Sequence, residues 1–216
     1  EKNIKVFKSV TEPSLAVAEL VLGIIINLIR KINLHDTEMK TGLWNKKMGS
    51  LISGKTLGII GLGNIGKTLV KLTSGFSLNY LAFDKKIDNN FAASNDVEYC
   101  SLKNLIKNSD IISTHLSLNK KTNSLISNEE FRLMKNDAIL VNASRGEIIN
   151  ESALLYALSK GTIGGVGLDV YENEPYSGPL AKYENVILTP HIGSYAKEIR
   201  IAMELESVQN LIQGFN

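Results

Sequence analysis

The stretch GIIGLGNIGKTLV, residues 58–70, constrains this chain more than any other. An apolar run ends in a glycine turn, and a helix-forming sequence begins at once. Gly61, Gly63 and Gly66 follow the spacing G-x-G-x-x-G. The first glycine permits the tight turn, the second lets backbone approach a phosphate, and the third lets helix and strand pack closely. The helix start offers unpaired N–H groups to an anion. Glycines needed only for packing are the competing explanation. The chain around the loop has to supply the remaining parts of a dinucleotide site.

It does so by alternation. TLGIIG, YLAFD, DIISTH, AILVN, IGGVGLD and NVILT read as short buried strands. Between them lie a helix from about Asn64 to Ser74, the serine-started SLKNLIKN and SNEEFRLM, and NESALLYALSKG with an asparagine start and a glycine stop. Strands that alternate with helices imply a parallel sheet covered on both faces, so the expected fold is α/β, doubly wound and Rossmann-type. Before this core, IKVFK reads as a short strand, and Pro13 opens a helix with Leu15, Ala18, Leu22 and Ile26 at helical spacing. HDTEMKTGLWNKKMGSLISGK reads as a polar connector or arm, and a long helix is expected from about Tyr195 to Gln213.

Asp84 closes YLAFD eighteen residues after Gly66. That is near the roughly 20-residue offset at which a carboxylate accepts hydrogen bonds from the adenosine ribose hydroxyls. A carboxylate there repels a 2′-phosphate, so NAD is expected in preference to NADP, although Lys85 and Lys86 follow at once and weaken the preference. The loop names a ligand class and no reaction, because other nucleotide users, methyltransferases among them, share this half of the fold.

Other classes of function find no support. A net charge of +2, with lysines scattered among acids, gives no nucleic-acid surface. A single cysteine, Cys100, excludes an intramolecular disulfide framework, and no Cys/His spacing suggests a metal site. That cysteine usage fits a reducing, cytoplasmic setting, and LAVAELVLGIIINLI carries Glu19 and Asn27 and is shorter than a membrane span, so a buried helix is expected there.

Three segments end strands on the carboxyl edge, where open α/β sheets bind ligands: NASRGEIIN, GLDVYENEP and LTPHIGS. Arg145 is either a carboxylate clamp or a surface ion-pair partner, Glu174 either a partner for a base or part of a solvated acidic turn. His191 is either a proton-transfer group or a strand cap. Jointly they match what reduction of a 2-oxo acid requires. A cation binds the carboxylate and polarises the carbonyl, an acid protonates the alkoxide, and a carboxylate fixes that acid's tautomer.

SLAVAELVLG, GKTLGIIGLGNIG, VNASRGEIINESALLYALSKGTIGGVGLDVYENEP and VILTPHIGS together resemble the D-isomer-specific 2-hydroxyacid dehydrogenases, the family that includes D-3-phosphoglycerate dehydrogenase. The resemblance implies hydride transfer between NAD(H) and a D-2-hydroxy acid or 2-oxo acid, 3-phosphoglycerate being one candidate. It implies Arg145 as the substrate-binding arginine, His191 as the acid/base and Glu174 as its partner. Asn64 and Ile65 would contact the pyrophosphate, Asp84 the ribose, and Asp169 the nicotinamide carboxamide. Leu116, Ala143, Ser144, Gly193 and Ser194 would line the cofactor groove.

Ser117 and Asn119 replace the proline and threonine of the usual His-x-Pro-Leu-Thr, and Asn64 stands where arginine or histidine is frequent. His115 reads as a strand-end residue near the cofactor, and His35 as an exposed connector residue.

The resemblance also implies domain organisation. Residues 1–12 would be a hinge segment, 13–194 the NAD-binding domain, and 195–216 a helix that packs on a substrate domain, most of which lies outside the chain. A homodimer is implied, with the Ala16–Ile29 helix and the Trp44 arm as contacts. The chain is then expected to bind NAD(H) but turn over substrate poorly by itself. The alternative is an NAD(H)-binding sensor or scaffold without turnover.

Overall fold

The computed structural model describes residues 5–215. Seven strands, β1 (Thr56–Ile60), β2 (Asn79–Phe83), β3 (Val97–Tyr99), β4 (Ile111–Thr114), β5 (Ile139–Asn142), β6 (Gly165–Leu168) and β7 (Val186–Leu188), form one sheet. Their order is β3-β2-β1-β4-β5-β6-β7, and every pairing is parallel. The order reverses between β1 and β4, which puts the crevice of a doubly wound sheet at the end of β1.

Helices cover both faces because successive strand residues point to opposite sides. Leu57 and Ile59 of β1, Ile111 of β4, and Ile139 and Val141 of β5 pack beneath α1 (Ser14–Arg30) and α3 (Asn64–Thr73). Ile60, Ile112 and Leu140 point the other way, toward α5 (Leu102–Asn108), α6 (Asn128–Leu133) and α7 (Glu151–Lys160). Local chemistry sets the helix starts. The Ser101 and Asn150 side chains accept the N–H groups of Asn104 and Ala153, and Ser127 and Glu130 close a capping box. Gly161 ends α7 in the left-handed conformation. The expected doubly wound fold is met.

Four local expectations are corrected. Lys5–Lys8 of the IKVFK run are not a strand (Ile4 lies outside the described residues). They run beside α8 (Lys197–Phe215) instead. Lys5 Nζ donates to the Gly214 carbonyl, and Asn210 Nδ2 donates to the Lys8 carbonyl. Part of the expected connector is a helix, α2 (Ile32–Lys40), and His35 on it is half-buried, its Nε2 accepting the Lys47 N–H at 3.0 Å. That bond pins the following arm to α2. Finally, α4 (Asn89–Ser94) and β3 lie between YLAFD and SLKNLIKN, where neither was expected. No helix among the described residues is long and apolar enough to cross a membrane.

Candidate active site

One row of paired residues fixes the site. Across the sheet, Phe83, Ile60, Thr114, Asn142, Leu168 and Leu188 are in register. The next residue on each strand is Asp84, Gly61, His115, Ala143, Asp169 or Thr189. Strand register therefore brings the residues singled out above, or their immediate neighbours, to one rim.

At the β1 end the three glycines have three different surroundings. Gly61 sits at φ +100°, and a Cβ there would lie 2.6 Å from the His115 carbonyl oxygen. A Cβ on Gly66 would lie 2.7 Å from the Gly61 carbonyl oxygen. Gly63, the N-cap of α3, would meet nothing within 4 Å. Two glycines thus satisfy the protein, and the third leaves open space above a helix N-terminus. The space continues into a groove of about 710 Å³ lined by Gly63, Asn64, Lys67, Asp84, Lys86 and Asp88 among others. These residues fit a dinucleotide: open backbone for the phosphates, and a carboxylate at the tip of β2 for a ribose. The Asn64 side chain is engaged elsewhere, its amide donating to Glu12 Oε2, while Ile65 is half-buried. His115 is half-buried with its ring turned inward, and desolvation pushes its imidazole down to about 4, so the ring is neutral near pH 7. It bonds to Ser113 Oγ through Nε2, and its Nδ1 lies buried without a partner.

At the other end, His191 Nδ1 lies 2.9 Å from Glu174 Oε2. The second oxygen of Glu174 accepts the Tyr171 N–H at 3.1 Å. The bond from His191 is the main cause holding the Glu174 carboxyl below the usual carboxylate range, and the charge of Arg145 adds to it. The influence of Arg145 at Glu174 follows from a close approach of backbones. A Cβ on Gly146 would lie 2.0 Å from the Tyr171 carbonyl carbon, so only glycine lets the two loops touch. The side chains of His191 and Glu174 are 53% and 38% exposed, leaving both open to a ligand. Beside them lies a mainly aromatic and aliphatic cavity of about 600 Å³, lined by Tyr171, Pro175, Tyr176, Leu188 and Pro190.

His191 has φ +53°, a conformation rare outside glycine. Asp169 holds it. This carboxylate is 1% exposed and accepts hydrogen bonds from Thr189 Oγ1 at 2.6 Å and from the Ile192 and Gly193 N–H groups at 2.8 Å. Both oxygens of Asp169 thus support the turn that carries the imidazole. The turn after β5 has its own buried anchor. Asn142 Oδ1 accepts from Thr114 Oγ1, Ser144 N–H and Ser144 Oγ, while its Nδ2 donates to the Arg145 carbonyl. Asn142 and Thr189 were not anticipated as site residues. For Asn142 a sign was available, since an amide that ends the apolar run AILVN must find partners. Leu116 and Ala143 are half-buried, Ser144 and Gly193 buried, and Ser194 half-buried, all in the loops of this rim.

A guanidinium, an imidazole and a carboxylate from three strand ends can bind an acid, move a proton and hold the imidazole's tautomer. The chain is similar to known proteins over these segments. Residues 22–193 match the family described as D-isomer specific 2-hydroxyacid dehydrogenase, NAD binding domain. Glyoxylate reductase of Thermococcus litoralis is 38% identical, over 91% of this chain and 62% of its own length. D-3-phosphoglycerate dehydrogenase of Methanocaldococcus jannaschii is also 38% identical, over 99% of this chain and 42% of its own. Among solved structures, D-lactate dehydrogenase with NAD+ from Lactobacillus jensenii superposes with a TM-score of 0.82 at 31% identity, covering 94% of this chain and 66% of that one. The chain therefore spans less than two thirds of the length of these relatives.

Proposed function

The chain belongs to the D-isomer specific 2-hydroxyacid dehydrogenases, whose NAD-binding domain it carries, and we propose that it forms the cofactor-holding, proton-transferring part of an enzyme that interconverts a D-2-hydroxy acid and its 2-oxo acid. The observation that carries this reading is the 2.9 Å pair between His191 and Glu174, within the field of Arg145. NADH, when bound in the groove, supplies the hydride. Arg145 engages the substrate carboxylate through its planar fork and draws charge from the carbonyl. His191 keeps Nδ1 on Glu174, which leaves Nε2 to give a proton to the carbonyl oxygen in reduction and take it back in oxidation. Glu174 fixes that tautomer and stabilises the imidazolium. Gly193 and Ser194, on the turn that Asp169 holds, form the nicotinamide end of the groove, Ala143, Ser144 and Leu116 its wall, Asn64 and Ile65 the pyrophosphate contact and Asp84 the ribose contact.

The substrate is a small 2-oxo acid such as glyoxylate or 3-phosphohydroxypyruvate. The segments flanking residues 13–194 are the hinge and closing helix of a second domain. Hydrogen bonds from Ser9 and Thr11 to Glu206 on α8 support this assignment, because they tie the two flanks to each other. The protein works in the cytoplasm as a homodimer. The arm, with Trp44 75%, Met48 90% and Leu51 74% exposed, is the surface we assign to that contact. Helix α1 already buries Val21, Ile24 and Ile25 against its own sheet.

The test is NADH oxidation by the full-length gene product with a panel of 2-oxo acids, beside His191→Ala. The wild type should turn over at least one acid. The variant should fall by about a hundredfold or more, as for loss of a general acid. If neither oxidises NADH while both bind it, a sensor or scaffold is the better reading.

A further inference from the structure

The adenosine end of the groove is more evenly charged than a single carboxylate would make it. Lys67 and Lys86 line it together with Asp84 and Asp88. Lys86 belongs to the same turn as Asp84, whose Oδ1 accepts the Lys86 N–H at 3.0 Å. Lys67 lines the groove from the first turns of α3. Two lysines lining one groove would suit an added phosphate, and Asp84 alone would then oppose both.

Asp88 changes that balance. Its Oδ2 pairs with Lys67 Nζ, while its Oδ1 caps α4 by accepting the Phe91 N–H at 3.0 Å. Its own N–H donates to the Tyr99 hydroxyl at 3.1 Å. Asp88 is thus anchored from two sides independently of Lys67, and the Lys67 ammonium also lies 5.3 Å from the centre of the Phe91 ring. Lys67 is the main cause holding the Asp88 carboxyl below its ordinary range.

We infer that the Lys67–Asp88 ion pair governs which dinucleotide this groove accepts, by keeping the lysine's charge from a 2′-phosphate. The inference rests on reading the groove as the NAD site. It assigns to Asp88, a residue outside the glycine loop and not the ribose carboxylate, a part in excluding the phosphorylated cofactor.

The test measures dissociation constants of NADH and NADPH for this chain by fluorescence, at low salt where a half-exposed charge is least screened. Asp88→Asn keeps an N-cap side chain and removes the charge. The ratio of the NADPH to the NADH dissociation constant should fall about two- to fivefold, the size expected of one released surface charge contact. Adding Lys67→Met should abolish that fall. Lys67→Met by itself leaves Asp88 unpaired on the rim and should raise the ratio, which tests the inference even where Asp88→Asn folds poorly. An unchanged ratio in Asp88→Asn, or an equal fall in the double variant, would overturn the inference and leave the NAD site standing. Failure of the unaltered chain to bind NADH would overturn the site and the inference with it.

Discussion

The two ends of the rim are built on opposite principles. The dinucleotide end is local: the glycine turn and its helix start lie within residues 61–66, and the backbone is the functional surface. The reacting end is assembled from three loops, after β5, β6 and β7, and its exposed groups rest on buried polar anchors, Asn142 at 0% and Asp169 at 1% exposure. A local site can be written in a short motif. An assembled one depends on contacts between residues 20 and more positions apart, such as Asp169 with Thr189, Ile192 and Gly193.

The contrast breaks most sharply at Asp169. Asp169→Ala removes the acceptor for two N–H groups and a hydroxyl at a buried site, and it frees His191 from its φ +53° turn. Each charge-assisted bond contributes about 1.5–3 kcal/mol, so a stability loss of about 3 kcal/mol or more is expected by denaturant titration. An unchanged midpoint would mean that the turn holds itself. Asp169→Asn should lose less, since one oxygen remains as acceptor.

A smaller effect distinguishes the rim from the paired chain ends. One oxygen of Glu206 accepts from Ser9 Oγ, Thr11 N–H and Thr11 Oγ1, and these bonds lower its carboxyl to about 2. A depressed carboxylate stabilises fully above its ordinary value of 4.5 and loses that contribution as the pH falls toward 2. Protease cleavage within residues 5–12 should therefore rise between pH 4.5 and pH 3, measured with an acid-active protease against a denatured-chain control. Glu206→Gln should cleave faster at neutral pH and show little further rise. Equal cleavage of both proteins at every pH would remove the tie.

Legibility in the sequence followed the same division. The sheet was readable because its central strands are continuous apolar runs, and the helix starts because serine and asparagine caps announce them. β3 was not, since a three-residue edge strand, Val97–Tyr99, with an exposed middle residue has no apolar run to mark it. α2 was hidden by its polar composition, none of its residues being buried. The IKVFK run has the residues of a strand, but Lys5–Lys8 find a helix as neighbour instead of a sheet edge. At the site, Arg145, Glu174 and His191 could be named from residue type and strand-end position. The partners that Asp169 and Asn142 anchor could not, because they depend on where three loops meet in space; for Asn142 the sequence offered only the sign that a buried amide needs partners.

Gly63 provides the most direct test of the central claim, that the open backbone above α3 is where a dinucleotide binds. A Cβ there would meet no protein atom within 4 Å, whereas one at Gly66 would meet the Gly61 carbonyl oxygen at 2.7 Å. Titration of NADH into Gly63→Val should show affinity reduced about a hundredfold or more with the melting temperature held within about 2 °C, while Gly66→Ala should lower stability itself by about 1–3 kcal/mol. NADH affinity unchanged in a folded Gly63→Val protein would contradict the claim.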